Sequence, residues 1–391
     1  MLFFLSACST QPPVSEAPPV QTDAKPVVEQ PATTEIPPHP ALQLASFADL
    51  PGWKEDRLVE AWPAFLASCQ ALRSAEWREP CAVAREVDGG DEAAIRLFFE
   101  SFFEPHKAFN PDGSDQGLVT GYYEPMLRGA RKRGGPFQTP LYAEPPDLLT
   151  IDVGSLYPEL RNLRLRGRLV GTKVVPYLSR AEMMQSDALR GHELLWVDDP
   201  IEAFFLQVQG SGRVYLVDTK ETVRLAYANQ NGHPYRSIGR YLVEKGELTL
   251  DQASAQGIKA WYLANPNRRD ELLNVNPSYV FFREEKLADP IPGPKGALGV
   301  PLTSERSIAV DPRVIPLGAP VFLATTRPNT NQPLRRLVLA QDTGGAIRGA
   351  VRADFFWGFG KQAGELAGRM KQRGVMWVLL PKDRSTSGTV Q

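Results

Sequence analysis

The sequence has 391 residues, of which 42% are hydrophobic and 23% charged, with 44 basic side chains against 45 acidic ones. These values are typical of a globular protein with one large domain or two modest ones. The net charge of −1 argues against a protein that works by covering nucleic acid, so no nucleic-acid partner is expected.

The N-terminus carries a short apolar segment that ends in a cysteine. Leu5-Ser6-Ala7-Cys8 resembles the lipobox of bacterial lipoproteins, in which cleavage before the cysteine leaves Cys8 to carry acyl chains. Because the apolar run is short and lacks a basic n-region, we interpret residues 1–8 as a truncated lipoprotein signal. Ser9 suits sorting to the outer membrane, which places the protein in the periplasm of a Gram-negative bacterium. The alternative is a chance cysteine after an apolar start.

Residues 9–40 are rich in proline and polar side chains and hold almost no large apolar ones. This composition buries too little surface to offset chain entropy, which predicts a disordered tether. The globular part begins near Ala41, and nothing in it is apolar for long enough to span a bilayer. In an oxidising periplasm, Cys69 and Cys81 can form a disulfide; two buried thiols are the alternative.

Helices and then strands are predicted along the first part of the globular region. Residues 54–73 and 91–103 place apolar side chains at helical spacing, although Pro63 weakens or kinks the first helix. Residues 118–125 are β-rich and stop at a proline. Residues 204–217 are interpreted as a hairpin with a glycine-rich turn.

The second half begins with helices and ends in short strands. Helices are predicted after Ser237 and within residues 250–264. Short strands separated by prolines and glycines then predict a small barrel, and they cover residues 307–310, 320–324, 337–340 and 376–380. One more helix has Ala363, Leu366, Ala367 and Met370 on one face and ends before Gly374. Residues 383–391 are polar and predicted to be disordered.

The residues exclude several kinds of catalytic site. The four histidines have no paired spacing and no cysteine cluster occurs, so a zinc site is not expected. We expect the protein to need no metal or other cofactor. The sequence has no Gly-x-Ser-x-Gly elbow and no Walker loop. Asp342-Thr343-Gly344 matches the core of aspartic proteases, but those enzymes need two such motifs, and no second one is present.

Three aspartates in the C-terminal β-rich region remain as candidates. Asp354 lies between Arg352 and the aromatic run 355–357, which predicts partial burial and a raised carboxyl pKa. A carboxyl group protonated near neutral pH can protonate a glycosidic oxygen. Asp311, before a proline, and Asp342, before paired glycines, can equally be turn residues.

Five stretches together resemble the membrane-bound lytic murein transglycosylase A family. They are TGYYEP at 120–125, QVQGSG at 207–212, NGHPYRSIG at 231–239, NPSYVFF at 276–282, and the segment 340–360. The match runs in order from about residue 41 to residue 381. The C-terminal part is similar to the family's 3D domain, named for three aspartates that fall here on Asp311, Asp342 and Asp354.

The resemblance implies a mainly β fold with helices, in two domains with a groove between them. The larger domain, residues 41–125 and 286–382, is expected to contain a double-psi β-barrel. The smaller, β-rich domain is expected to be inserted at residues 126–285. The implied partners are peptidoglycan glycan strands, the outer membrane through the lipid anchor, and cell-wall synthases or amidases.

The resemblance further implies a lytic exotransglycosylase that cleaves the β-1,4 bond between N-acetylmuramic acid and N-acetylglucosamine and forms 1,6-anhydromuramic acid. Asp354 is then the single general acid and base, which suits an intramolecular nucleophile. Asp342 and Asp311 are assigned to substrate binding or to raising the pKa of Asp354 by their charge.

Two aromatic and three polar residues are assigned substrate-binding roles because of their positions in these motifs. Tyr122 and Trp357 are candidate stacking faces, and Gln209, Ser211 and Tyr235 are candidate hydrogen-bond donors. Packing roles remain the alternative for each of them. A non-catalytic glycan-binding barrel and a true muramidase hydrolase remain the alternative functions.

Overall fold

The computed structural model describes residues 41–157, 160, 163, 165–287 and 293–382. The predicted lipobox with Cys8, the tether at 9–40 and the tail at 383–391 lie outside the described residues. Across the described ranges, no helix combines the length and the apolar character that crossing a membrane requires.

Strands outnumber helices in the described part of the chain. The α-helices there are α1 (Trp62–Ala71), α2 (Ala75–Val83), α3 (Glu92–Phe102), α4 (Arg180–Met184), α5 (Pro200–Gln209), α6 (Ile238–Glu244), α7 (Ala255–Ala264), α8 (Arg269–Asn274) and α9 (Gly360–Ala367). The strands are β1 (Leu42–Leu44), β2 (Phe103–Ala108), β3 (Gly117–Glu124), β4 (Met126–Ala130), β5 (Thr139–Tyr142), β6 (Leu149–Thr150), β7 (Arg166–Val170), β8 (Lys173–Pro176), β9 (Glu193–Val197), β10 (Gly212–Leu216), β11 (Glu221–Gln230), β12 (Val280–Lys286), β13 (Ser307–Ala309), β14 (Pro320–Thr326), β15 (Pro333–Asp342), β16 (Arg352–Phe359) and β17 (Lys371–Pro381).

One sheet curls into a nearly closed barrel. Its strand order is β1-β2-β17-β14-β15-β13-β16-β3. An additional pairing of β17 with β3 joins the two ends of the six-strand run from β17 to β3. All of its strands come from the two ends of the described chain, before residue 125 and after residue 306. The strands predicted in the C-terminal region are therefore present and form a barrel.

The middle of the chain forms separate sheets. A six-stranded sheet has the order β12-β11-β10-β4-β9-β5, and a three-stranded sheet has the order β6-β7-β8. Helix α5 packs on the six-stranded sheet through Ala203 and Leu206. The strands from the middle of the chain therefore pair with one another and not with the strands of the barrel. The predicted mixed, β-rich fold with helices is confirmed.

Helices α1 and α3 cover the barrel with an aromatic cluster. Trp62 and Phe65 of α1 pack against Phe98 and Phe99 of α3, with ring centroids 5.1–5.8 Å apart. Complete burial of each such side chain contributes roughly 1.5–3 kcal/mol. A disulfide between Cys69 and Cys81 links α1 to α2, with an S–S distance of 2.07 Å.

The predicted hairpin at residues 204–217 is wrong, because its first half is the end of helix α5. The Asp199 side chain caps this helix by accepting from the amides of Ile201 and Glu202, and Pro200 occupies its first turn. The helix ends at Gly210, which has φ +83°, a left-handed conformation that glycine adopts without strain. Only Gly212–Leu216 is a strand.

The last helix is shorter than predicted. Helix α9 ends at Ala367, and Gly374 lies within strand β17. A Cβ atom at residue 374 would lie 2.6 Å from Val119 Cγ2. The glycine therefore permits close contact between neighbouring barrel strands, and it does not terminate the helix.

Candidate functional site

Asp354 lies on β16, where the parallel strand β3 places Thr120 opposite it. The Thr120 hydroxyl donates to Asp354 Oδ1 at 2.6 Å. The same hydroxyl oxygen accepts from Arg352 Nη2 at 2.9 Å. A threonine hydroxyl has one hydrogen, so the bond from Arg352 leaves that hydrogen for Asp354. Arg352 and Thr120 therefore orient the carboxyl group together.

Asp354 is half-buried, and its surroundings favour the protonated form. Burial raises the pKa of the carboxyl above its ordinary value, while the hydrogen bond from Thr120 and the charge of Arg352 lower it by a smaller amount. Desolvation disfavours the ionised form of an acid. The carboxyl group can therefore hold a proton at a higher pH than an exposed aspartate.

Asp342 lies at the end of β15, and both of its carboxyl oxygens are hydrogen-bonded. Oδ2 accepts from the Tyr122 hydroxyl at 3.0 Å, and Oδ1 accepts from the backbone amides of Thr343 and Ala297 at 2.9 Å. Burial raises the pKa of Asp342, and the negative charge of Asp354 adds to this effect. Burial is also the largest cause of the raised pKa of Asp354, and the expected contribution of the Asp342 charge to that shift stays a prediction.

Asp311 is completely buried and is held by its own loop. Arg313 binds both of its carboxyl oxygens, at 2.9 and 2.5 Å, and the Gly349 amide donates to Oδ2 at 2.9 Å. The Arg313 guanidinium lowers the pKa of Asp311 to about 2. The Asp311 side chain therefore fixes the chain near Gly349, and its expected influence on the pKa of Asp354 stays a prediction.

Tyr122 and Trp357, predicted as stacking faces with packing as the alternative, both have buried rings. Tyr122 is 8% exposed and packs on Phe356, with ring centroids 5.1 Å apart. Trp357 is 5% exposed, and its Nε1 donates to Met370 Sδ at 3.2 Å. A Cβ atom at Gly121 would lie 2.7 Å from that nitrogen, so the indole packs directly against the backbone of β3.

The three polar candidates occupy different environments. Gln209, at the end of α5, accepts from the Tyr123 amide at 3.1 Å and so connects this helix to β3. Ser211 is half-buried between α5 and β10. Tyr235 is 41% exposed in the segment before α6. In the part of the chain that the structure describes, no hydrogen bond joins any of these three side chains to Asp354.

Three of the sequence motifs meet around Arg180, a residue that the sequence reading did not single out. Its guanidinium donates to Gln207 Oε1 at 2.6 Å, to the Asn276 carbonyl at 3.0 Å and to the Ser278 carbonyl at 2.7 Å. The amide of Asn231 donates to the carbonyl of Pro277 at 2.9 Å. These polar motif residues therefore hold the loop before β12.

Thr120 was also missed as an individual residue, although it begins the first motif. Its local signal was a polar side chain directly after the apolar pair Leu118 and Val119. As for metals, the described ranges contain no group of three or more His, Cys, Asp or Glu residues that could hold an ion. A half-buried carboxyl group with a raised pKa can transfer protons, and this is the chemistry that Asp354 offers.

Two known domain families match the chain. Residues 118–283 match the family described as the MltA specific insert domain, and residues 306–380 match the 3D domain. The first match spans β3 through most of β12, and the second spans β13 to β17. Thr120 falls within the first match, and all three candidate aspartates fall within the second.

The chain is also similar to individual proteins of known name. It is 33% identical to membrane-bound lytic murein transglycosylase A of Escherichia coli strain K12 over 297 residues, which is 74% of this chain and 72% of the relative. The solved structure of the lytic transglycosylase LtgG of Burkholderia pseudomallei is 51% identical, covers 89% of this chain and 98% of its own, and has a TM-score of 0.58. The structure of E. coli MltA with bound chitohexaose is 27% identical, covers 84% and 91%, and has a TM-score of 0.64.

Proposed function

Because the chain belongs to the membrane-bound lytic murein transglycosylase A family, a family of peptidoglycan-cleaving enzymes, we propose that Asp354 is its single general acid and base. The hydrogen bonds of the three aspartates carry this proposal. Asp342 and Asp311 have both carboxyl oxygens bonded. Within the described ranges, Asp354 Oδ2 makes no hydrogen bond, so this oxygen can meet a substrate.

The proposed reaction cleaves the β-1,4 bond between N-acetylmuramic acid and N-acetylglucosamine. Protonated Asp354 gives its proton to the glycosidic oxygen as the bond from the muramic anomeric carbon breaks. The resulting carboxylate then takes the proton of the muramic 6-hydroxyl, whose oxygen bonds to the anomeric carbon. The product is a 1,6-anhydromuramic acid end, and no water is consumed.

One carboxyl group is sufficient for this reaction. An intramolecular hydroxyl has a high effective concentration, whereas glycoside hydrolases need a second carboxylate to activate water or to attack the sugar. The raised pKa of Asp354 favours the acid step, and the Thr120 hydrogen bond supports the carboxylate form that the base step needs. The side chains beside the Asp354 carboxyl group include Asp342 and Tyr122, which are hydrogen-bonded to each other. We assign them a role in shaping the site.

The separate sheets support a two-domain arrangement. We assign residues 41–125 and 286–382 to a domain with a double-psi barrel, and residues 126–285 to an inserted domain, with the glycan in a groove between them. Gln209, Ser211 and Tyr235 of the inserted segment are proposed to contact the glycan. The structure of E. coli MltA with bound chitohexaose indicates that a relative binds a chitin oligosaccharide.

The proposed setting is the periplasmic side of a Gram-negative outer membrane. A lipid on Cys8 would anchor the chain there, since relatives are named membrane-bound. The anhydro products would enter cell-wall remodelling and recycling, with synthases or amidases as partners. Membrane fractionation of the protein carrying Cys8→Ala tests the anchor.

The decisive experiment analyses the products of purified peptidoglycan by mass spectrometry. Wild-type protein is expected to release anhydromuropeptides, and Asp354→Asn is expected to reduce their release by about 10²–10⁴-fold. Asp342→Asn is the matched variant, with a smaller expected loss because Asp342 is already hydrogen-bonded. Reducing-end muramic acid would show a hydrolase, and a larger loss in Asp342→Asn would move the acid role to that residue.

A further inference from the structure

A cavity of about 450 Å³ lies at the other end of the strand pair that carries Asp354. Alternate residues of β3 share one face, so Thr120, Tyr122 and Glu124 form a row. Glu124 lies four residues, roughly 13 Å, along the strand from Thr120, and it lines the cavity together with Arg213, Thr303, Ser304, Phe356 and Phe359. The cavity therefore lies on the same face of the barrel as the candidate acid.

Arg213 is held rigidly in the wall of this cavity. The residue is 9% exposed, and its Nε and Nη2 bind Glu124 Oε2 at 2.9 and 2.8 Å. Its guanidinium carbon lies 3.7 Å from the centroid of the Phe359 ring. Among the described residues, its third nitrogen, Nη1, makes no hydrogen bond. A buried guanidinium in a fixed orientation therefore keeps one donor group available.

The Glu124 carboxylate is shared between two guanidinium groups. Its Oε1 accepts from Arg224 Nε at 2.6 Å, and its Oε2 accepts from Arg213 Nε at 2.9 Å and from Arg224 Nη2 at 3.3 Å. One negative charge is therefore shared by two guanidinium groups, so the positive charge of Arg213 is only partly neutralised. A guanidinium in a region of low dielectric binds carboxylates strongly and in a defined geometry.

We propose that this cavity binds a carboxylate carried by a substituent of the substrate glycan, with Arg213 as the recognising residue. This inference rests on the proposed function, because peptidoglycan has such carboxylates and chitin oligosaccharides have none. The carboxylate has two possible sources, the lactyl group of muramic acid in peptide-free strands and the stem peptides in intact strands. The partly exposed ring of Phe359 offers an apolar surface beside it.

Ser304 provides a test that leaves the Glu124 and Arg213 pairing intact. Ser304 is exposed at the cavity, so Ser304→Asp adds a negative charge near Arg213, and Ser304→Asn is the neutral control of the same size. Binding is measured by calorimetry, with Asp354→Asn present in every protein to prevent turnover. The three ligands are chitohexaose, peptide-free glycan strands and strands with stem peptides.

Ser304→Asp is expected to weaken binding of a carboxylate ligand by roughly 10- to 100-fold and to leave chitohexaose binding unchanged, while Ser304→Asn binds all three as the parent does. Loss with peptide-free strands alone identifies the lactyl group as the source, and loss with stem-bearing strands alone identifies the peptide. Equal loss with all three ligands, or no loss with any, overturns the proposal. Arg213→Lys is a second variant, which keeps the charge beside Glu124 but lacks the planar fork.

These outcomes are separate from the test of the reaction itself. If the wild type forms no anhydro products, the proposed reaction fails whatever the binding data show. If it forms them and the Ser304 and Arg213 variants bind charged and neutral glycans as the parent does, only the carboxylate site fails.

Discussion

Replacing Thr120 by valine tests whether its hydroxyl controls the protonation of Asp354. Valine has nearly the same shape but removes the donor 2.6 Å from Asp354 Oδ1. A hydrogen bond to a charged group contributes about 1.5–3 kcal/mol, and every 1.4 kcal/mol is about a tenfold change in an equilibrium constant. The variant should therefore favour the protonated form of Asp354 by roughly tenfold or more.

The assay is the pH dependence of kcat/KM for release of anhydromuropeptides. Because the acid step needs a protonated carboxyl group, the alkaline limb of the Thr120→Val profile should move to higher pH than in the wild type. The maximal kcat should fall, because the carboxylate that acts as base has lost its orienting partner. Both changes follow from one missing hydrogen bond.

Thr120→Ser is the control, because it keeps the hydroxyl group between Arg352 and Asp354. Its profile should follow the wild type. The reasoning is refuted if the valine variant leaves the alkaline limb in place or moves it to lower pH. It is also refuted if serine and valine impair the enzyme equally, since that result would trace the effect to packing.

Two further predictions concern stability. The pKa of Asp354 in the folded protein lies above the ordinary value of about 3.9. The folded state therefore loses stability relative to the unfolded state as pH rises through the folded-state pKa, and it has no such loss at low pH. Asp354→Asn should therefore melt at a higher temperature than the wild type at neutral pH, with a difference that shrinks on acidification; calorimetry across pH would contradict this if the wild type were the more stable at neutral pH. Trp357→Ala should lower the free energy of unfolding by about 3–5 kcal/mol, as measured by urea denaturation, whereas a sugar-stacking ring would change glycan binding with little change in stability.

Local patterns predicted some elements well and misjudged others. Helix α3 was evident because its apolar stripe and its Asp91 cap agree. Helix α5 was missed although Asp199, Pro200 and Gly210 carry the start and stop signals of a helix. The glycine-rich sequence after it is also typical of a hairpin turn, and a hairpin was the element predicted there.

The period of a strand explains why the Trp357 ring lies in the main core, away from Asp354. Side chains on β16 alternate between faces, so Asp354 and Phe356 point one way and Phe355 and Trp357 the other. Phe355 and Trp357 accordingly belong to the main core, whereas Phe356 packs with Tyr122. Trp357 lies three positions after Asp354, and residues an odd number of positions apart in a strand point to opposite faces. The alternation of the strand alone therefore predicts that the two side chains do not share a face.

The partners of Asp354 could not be predicted in the same way. Thr120 is 234 residues away in the sequence, and only the parallel pairing of β3 with β16 brings the two together. The burial of Asp354 was visible from its aromatic neighbours. Its hydrogen bond depends on strand order, which a single sequence does not reveal.

Because β17 pairs with β2, β3 and β14, the barrel cannot close until this last strand has been made. The ribosome makes the first strand of this sheet, β1, at residues 42–44 and the last one, β17, only at residues 371–381. Until then β3 and β14 have exposed edges, which are sites of mispairing and aggregation. A chain cut before residue 371 would keep every candidate catalytic side chain and still lack the strand that closes the barrel around them.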